Sequence, residues 1–127
     1  IDFFKDINDT YGHIVGDQTL IQIGKTLNEM GRQTDIAARY GGEEFVALIN
    51  FRDKIEVIRY IKRVKNAFLN STFIYKEHKI NITFSAGVTF RNNYNSIVDA
   101  QTKADELLYE AKDNGRDKVI FDDGTVL

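Results

Sequence analysis

Two adjacent acidic residues, Glu43 and Glu44, directly follow the pair Gly41-Gly42. The flanking runs 35–39 and 45–49 are typical of strands, and two glycines between such runs predict a tight hairpin, because a two-residue primed turn needs positive φ. Alternation along a strand would send the two carboxylates to opposite faces. Like charges this close repel, so the arrangement is unfavourable unless water, basic side chains or a cation lie nearby. The residue types therefore allow a divalent-cation site, but from the turn alone they favour a solvated hairpin with a charged rim.

A second set of residues could bind an anion. Lys112 and Arg116 are four residues apart around the end of the last predicted helix, so both could reach one anionic group. The alternative is two solvated charges that the helix dipole favours. Asp17 is a candidate helix N-cap and Asn8 a candidate for a local turn bond.

Periodicity predicts the elements that position these residues. Residues 1–9 predict the end of a strand followed by a short helical turn, and residues 12–16 predict a loop before a helix that runs from Asp17 to about residue 31. After the hairpin come a helix over 53–70, strands over 72–75 and 80–90 with a polar turn over 76–79, a helix from Asn95 or Ser96 to Asp113, and a strand over 118–121. The predicted apolar stripe of the 53–70 helix comprises Ile55, Ile58, Ile61, Val64, Phe68 and Leu69. The order predicts an α+β fold with a mixed, mostly antiparallel sheet and flanking helices.

Composition limits the class of protein. The 127 residues suit one domain, and 43% apolar residues with nine Phe supply a core. The net charge of −2 argues against nucleic-acid binding through bulk charge. There is no Cys for a disulfide framework, and no run of about 20 apolar residues for a membrane span. We expect a cytoplasmic domain that makes no membrane contact itself, although the full-length protein could carry a membrane anchor.

Four blocks of sequence, in one order, resemble the GGDEF family of diguanylate cyclases. The blocks are Asp2–Asp17, Arg39–Phe45 (Arg-Tyr-Gly-Gly-Glu-Glu-Phe), Phe84–Val88 and Ala104–Asp117. Glu43 stands where the family signature has Asp, an exchange that keeps a carboxylate. The resemblance implies a palm-like fold similar to that of nucleotidyl cyclases. It also implies that two GTP molecules condense into cyclic di-GMP with release of two pyrophosphates, in a homodimer whose subunits each hold one GTP.

The resemblance also implies a role for individual residues. Glu43, Glu44 and the backbone carbonyl of Ile1 would bind Mg²⁺ or Mn²⁺, and Glu44 would help to deprotonate the attacking hydroxyl. Asn8 and Asp17 would recognise the guanine edge. The residues implied to approach the β- and γ-phosphates are Phe3 and Phe4 through backbone N–H groups, and Lys5, Lys112 and Arg116 through charge. On sequence alone, the two Phe are typical core residues.

The spacing Arg32-x-x-Asp35 matches the pattern that many family members use as a product-binding inhibitory site, and Arg39 lies close enough to assist. Arg can fork onto a guanine edge or a phosphate, and Asp accepts from the Watson–Crick edge. The resemblance therefore implies feedback inhibition by cyclic di-GMP.

The chain departs from the family at its first residue. The family motif reads Asp-x-Asp-x-Phe-Lys, its first Asp supplies a metal carboxylate, and Ile1 occupies the position after that Asp. We expect residues 1–127 to form a single GGDEF-like domain that lacks an N-terminal helix and most of the first strand, and that cyclises weakly or not at all. We expect the intact protein to be active and fused to a sensor or regulatory domain.

Two other classes of protein fit parts of the sequence. One is a catalytically inactive GGDEF-like module that binds cyclic di-GMP or GTP; Glu43, Glu44, Lys112 and Arg116 argue against it, since a receptor does not need them. The other is a palm-like nucleotidyl transferase or nucleic-acid enzyme, which the low net charge and the implied guanine-binding pair disfavour.

Overall fold

The computed structural model describes residues 1–70, 73–75 and 78–127. The helices are α1 (Phe4–Tyr11), α2 (His13–Met30), α3 (Lys54–Asn70) and α4 (Ile97–Asp113). The strands are β1 (Ile36–Gly41), β2 (Glu44–Leu48), β3 (Phe73–Tyr75), β4 (His78–Ile80), β5 (Ala86–Val88) and β6 (Val119–Phe121). A short 3₁₀ helix spans Arg91–Asn93. The start predicted for the third strand and residues 76–77 of the polar turn after it lie outside the described residues, and residues 78–79, also predicted as turn, belong to β4.

The strands of the described residues form three pairs. β1 with β2 and β3 with β4 are antiparallel, and β5 with β6 is parallel. The α+β class and the mixed, mostly antiparallel pairing are therefore confirmed. The chain divides into two compact units, the first comprising Ile1 and residues 3–82 and the second comprising Asp2 and residues 83–127.

The first unit is built on α2. Helix α2 packs against both α1 and α3, and the β1–β2 hairpin rests on α2, where Phe45 lies against Gly24. The buried side chains of α2 and α3 form this core, among them Val15, Leu20, Ile23, Ile61 and Val64.

The predicted start of α2 is wrong. The helix begins at His13, directly after Gly12, which turns the chain with a φ of 90°. Gly16 is not part of a loop; it lies inside α2, buried, and its N–H donates to the Gly12 carbonyl at 3.1 Å. Asp17 therefore lies within the helix and does not cap it.

The predicted apolar stripe of α3 is only partly correct. Ile61, Val64 and Phe68 are buried, but Ile55 is 59% exposed and Leu69 is also exposed. Steps of three residues drift around an α-helix of 3.6 residues per turn, so Ile55 and Val64 point in opposite directions. The helix begins at Lys54, directly after the predicted first residue, Asp53. The Asp53 carboxylate caps it by accepting the Glu56 N–H at 2.9 Å.

The second unit packs α4 on the β5–β6 pair, with Leu107, Ala111 and Ile120 forming a buried cluster. The Ser96 hydroxyl caps α4 by accepting the Asp99 N–H at 3.0 Å, which confirms one of the two predicted caps. The strand predicted over 80–90 is divided: β4 ends at Ile80 and β5 begins at Ala86.

Candidate functional site

The hairpin turn differs in one residue from the sequence prediction. Gly41 pairs with Glu44, so the loop consists of Gly42 and Glu43, and only Gly42 has positive φ, at 52°. Arg39 Nε donates a hydrogen bond to the Gly42 carbonyl at 2.7 Å, which stabilises the turn. The partly buried Glu43 therefore belongs to the loop, and the exposed Glu44 is the first residue of β2.

The first residue of the chain meets this turn. The Ile1 nitrogen donates to the Glu43 carbonyl at 3.1 Å, so two of the residues predicted to bind metal are in contact through their backbones. Among the described residues, no group of three or more His, Asp or Glu side chains could hold a metal ion unaided. One or two carboxylates with a backbone carbonyl are the oxygen donor set that suits Mg²⁺, which keeps waters and takes its other ligands from substrate phosphates.

The start of α1 carries the residues predicted to approach phosphates. Phe3 is exposed with a left-handed φ of 55°, whereas the Phe4 ring is buried, so the core interpretation holds for Phe4 alone. Lys5 is exposed in the first turn. The first N–H groups of a helix have no partner inside it and favour anions, which is compatible with the predicted backbone role of this segment.

The predicted guanine-reading pair lies on two helices that touch. Asn8 is on α1 and Asp17 on α2, and a Cβ at Gly16 would overlap the Asn8 side-chain oxygen. Because Gly16 has no side chain, Asn8 can lie against α2 at this position. The exposed Asp17 is the next residue of the helix. The sequence analysis singled out both residues but assigned Gly16 to a loop.

The predicted phosphate-binding cations belong to the second unit. Lys112 is in the last turn of α4, and Arg116 follows the end of that helix with a left-handed φ of 64°. Both side chains are partly exposed. Their four-residue spacing spans the helix end and not a continuous helical turn.

The residues of the predicted inhibitory site form a network within the first unit. The Asp35 carboxylate accepts the Arg32 N–H at 2.7 Å and the Asn50 N–H at 2.9 Å, so it ties together the segments before β1 and after β2. The Arg32 guanidinium lies 5.5 Å from the centre of the Phe51 ring and 3.4 Å from the Glu56 carboxylate. Arg39 is on the hairpin and bonds to its turn. The predicted inhibitory residues therefore also have a structural role here.

Asp35→Ala is expected to lower the free energy of unfolding by about 1–2 kcal/mol, because two backbone N–H groups lose their acceptor. Urea denaturation of the full-length protein would measure the change. Gln33→Ala is the matched control, since Gln33 is an exposed residue of the same loop. An unchanged midpoint for Asp35→Ala would show that the network adds nothing to stability.

A pH effect follows from Glu56. Its side-chain hydrogen bond to Arg52, with Nη2 to Oε1 at 2.8 Å, and the Arg52 backbone N–H lower the pKa of Glu56 below its ordinary value of 4.5. A lowered folded-state pKa stabilises the fold above the ordinary value, and this stabilisation is lost as the pH falls through the lowered pKa.

In urea titrations between pH 7 and pH 3, the stability advantage of the wild type over Glu56→Gln should be constant at neutral pH and should shrink below about 4.5. Added salt should reduce the advantage, because Arg52 is largely exposed. An advantage that grows on acidification would contradict the assignment.

One buried carboxylate was assigned no role by the sequence analysis. Asp2 is 4% exposed and accepts hydrogen bonds from the Thr83 hydroxyl at 2.8 Å, the Ser85 hydroxyl at 2.7 Å and the Asp117 N–H at 3.0 Å. Asp2 lies in the first of the four blocks, but its partners are more than 80 residues away in sequence. Periodicity could not have indicated these contacts.

Comparisons with known proteins identify a family for this chain. Residues 1–118 match the family described as diguanylate cyclase, GGDEF domain. Diguanylate cyclase A of Treponema denticola is 41% identical over 122 residues, which cover 95% of this chain and 33% of that protein. The chain spans between 18% and 42% of the length of the curated relatives it matches.

Solved structures show the same fold. The active GGEEF domain of a diguanylate cyclase from Vibrio cholerae has a TM-score of 0.79 at 30% identity, covering 95% of this chain and 77% of that one. The GGDEF domain of DgcB from Caulobacter crescentus in complex with c-di-GMP has a TM-score of 0.82 at 27% identity, covering 95% and 72%. The fold is thus the palm-like α+β fold of GGDEF domains. The chain belongs to the GGDEF-domain family of diguanylate cyclases.

In the described part of the chain, none of the helices combines the length and the apolar character that crossing a bilayer requires.

Proposed function

We propose that the protein containing this domain condenses two GTP molecules into cyclic di-GMP and releases two pyrophosphates. The observation that carries the proposal is the hairpin turn, where Glu43 lies in the loop and its backbone bonds to Ile1. Family membership and the GGEEF domain of a solved diguanylate cyclase support the same activity.

The residues at the hairpin turn have separate proposed roles. Glu43 and the Ile1 carbonyl hold Mg²⁺ or Mn²⁺, which when bound neutralises phosphate charge and lowers the pKa of the attacking 3′-hydroxyl. Glu44 accepts the proton of that hydroxyl, and the hydroxyl oxygen bonds to the α-phosphorus of the other GTP. The bond between the α-phosphorus and the oxygen that bridges to the β-phosphorus breaks, and pyrophosphate leaves with that oxygen and the electron pair of the bond.

Recognition uses the remaining site residues. Asn8 and Asp17 bind the guanine edge, and the N–H groups of Phe3 and Phe4 bind the outer phosphates together with the charge of Lys5. Lys112 and Arg116 contribute cations for phosphate binding. A single domain holds one GTP, so we propose that two copies meet and that catalysis depends on dimer formation.

Product inhibition is the proposed role of Arg32 and Asp35, with Arg39 assisting. A GGDEF domain solved in complex with c-di-GMP supports binding of the product by this family. Because Arg32 and Asp35 already bond to one another and to their neighbours, ligand binding at this position would exchange internal hydrogen bonds for external ones.

The proposal is tested by incubating the full-length protein with GTP and Mg²⁺ and separating the nucleotides by chromatography. We expect one cyclic di-GMP and two pyrophosphates for every two GTP consumed, with a rate per subunit that rises with protein concentration. Consumption of GTP to GDP and phosphate, or binding of GTP without turnover, would overturn the proposal.

A further inference from the structure

The buried carboxylate of Asp2 connects distant parts of the second unit. Its Oδ2 accepts both the Thr83 hydroxyl and the Asp117 N–H, and its Oδ1 accepts the Ser85 hydroxyl. The Asp2 N–H in turn donates to the Thr83 carbonyl at 3.0 Å. A carboxylate that accepts three hydrogen bonds in the interior is held rigidly, because each bond fixes a different direction.

The segment that reaches Asp2 from the other side is an unusual turn. Helix α4 ends in a Schellman motif, in which the Arg116 N–H donates to the Ala111 carbonyl at 3.0 Å and the Gly115 N–H to the Lys112 carbonyl at 3.4 Å. Gly115, Arg116 and Asp117 then all have positive φ, at 102°, 64° and 46°. The left-handed conformation suits Gly115, but it is unfavourable for two successive residues that carry a Cβ.

We propose that Asp2 is a positioning residue for Arg116. The Asp2 carboxylate binds the N–H of Asp117, the second of the two non-glycine residues with left-handed φ, and thereby keeps the turn in its unfavourable conformation. This turn sets the direction in which the Arg116 side chain leaves the backbone. The inference rests on the proposed function, in which Arg116 binds the outer phosphates of GTP.

The hydrogen-bond pattern provides its own controls. Asp2→Asn can keep all three bonds, since its amide oxygen accepts from Thr83 and Asp117 while its NH₂ group donates to the Ser85 hydroxyl. Ser85→Ala removes one bond to Asp2 and leaves the Asp117 bond in place. Asp2→Ala removes every side-chain bond, and Asp2→Ser retains a hydroxyl that is too short to reach the Asp117 amide.

Affinity for a non-hydrolysable GTP analogue with Mg²⁺, measured by calorimetry on the full-length protein, reports on Arg116 without requiring turnover. Loss of a charge-assisted contact predicts about tenfold weaker binding for Asp2→Ala, Asp2→Ser and Arg116→Ala. Asp2→Asn and Ser85→Ala should stay within about threefold of the wild type. Asp2→Ala should add nothing in the Arg116→Ala background, and affinity for guanosine should not change in any variant.

Hydrogen exchange at the Asp117 amide is the second measurement. A general loss of stability would speed exchange at many amides, whereas loss of the Asp2 bond should speed exchange at this one. We expect faster exchange at this amide in Asp2→Ala and Asp2→Ser, with Val119 and Phe121 in β6 still protected. If Asp2→Ala does not fold, Asp2→Ser carries the test.

Three outcomes would overturn the inference: wild-type protection of the Asp117 amide in Asp2→Ser, an undiminished effect of the Asp2 variants in the Arg116→Ala background, or an equal loss of guanosine affinity. A wild-type protein that binds the analogue but forms no cyclic di-GMP would refute the proposed function and leave this inference standing. A wild-type protein that does not bind the analogue would refute both.

Discussion

Glu43→Gln is expected to lower the rate of cyclic di-GMP formation by at least about 100-fold, the usual loss when one electrostatic contact to the reacting centre is removed. The substitution keeps the size of the side chain and removes its charge. The turn should survive, because its bonds use the Glu43 backbone carbonyl and the Gly42 carbonyl, not the Glu43 side chain.

The matched control for Glu43→Gln is Glu29→Gln, which removes an exposed carboxylate that pairs with Lys25 at 3.7 Å on the surface of α2. Both variants should unfold within about 0.5 kcal/mol of the wild type, as surface substitutions generally do. Only Glu43→Gln should lose turnover of GTP and should require a higher Mn²⁺ concentration for its residual activity. More than half of the wild-type rate in Glu43→Gln would exclude a metal-binding role for this carboxylate.

Gly87→Ala is expected to destabilise the second unit by about 2–4 kcal/mol, at the upper end for overpacking of a core. Gly87 is in β5, directly under α4, and a Cβ there would lie 2.8 Å from the Leu108 backbone nitrogen and would overlap the Ala104 carbonyl. Helix backbone cannot rotate away as a side chain can, so either α4 or β5 must move.

Gly41→Ala is the control for Gly87→Ala, because a Cβ at Gly41 has no atom within 4 Å and the residue does not have positive φ. We expect Gly41→Ala to leave stability unchanged or to raise it slightly through the unfolded state. Urea denaturation followed by circular dichroism would compare the two variants. Equal midpoints for both would show that α4 tolerates displacement from the strand pair.

Local sequence signals predicted the elements whose interactions lie close in sequence. Ser96 and Asp53 mark the starts of α4 and α3, Gly115 marks the end of α4, and the diglycine predicts the hairpin. Each of these signals depends on a hydrogen bond or a positive φ within four residues of the residue that causes it. The four blocks that resemble the GGDEF family also predicted the family correctly.

Features that depend on tertiary contacts could not be predicted from the local sequence pattern. Gly16 has the residue type of a loop, yet it serves the close approach of Asn8 to α2. The 80–90 strand was predicted from β propensity, but the division between β4 and β5 depends on which neighbours supply backbone partners. The role of Asp2 depends on residues 83, 85 and 117, which no periodicity connects to it.

The central claim is that the Glu43 carboxylate binds a divalent cation that also contacts nucleotide phosphate. Crystals of the full-length protein with a non-hydrolysable GTP analogue and Mn²⁺, examined by anomalous scattering, test it most directly. We expect a manganese peak about 2.0–2.3 Å from a Glu43 carboxylate oxygen and bonded to a phosphate oxygen. A bound nucleotide whose manganese is held without Glu43, with that side chain directed into solvent, would contradict the claim.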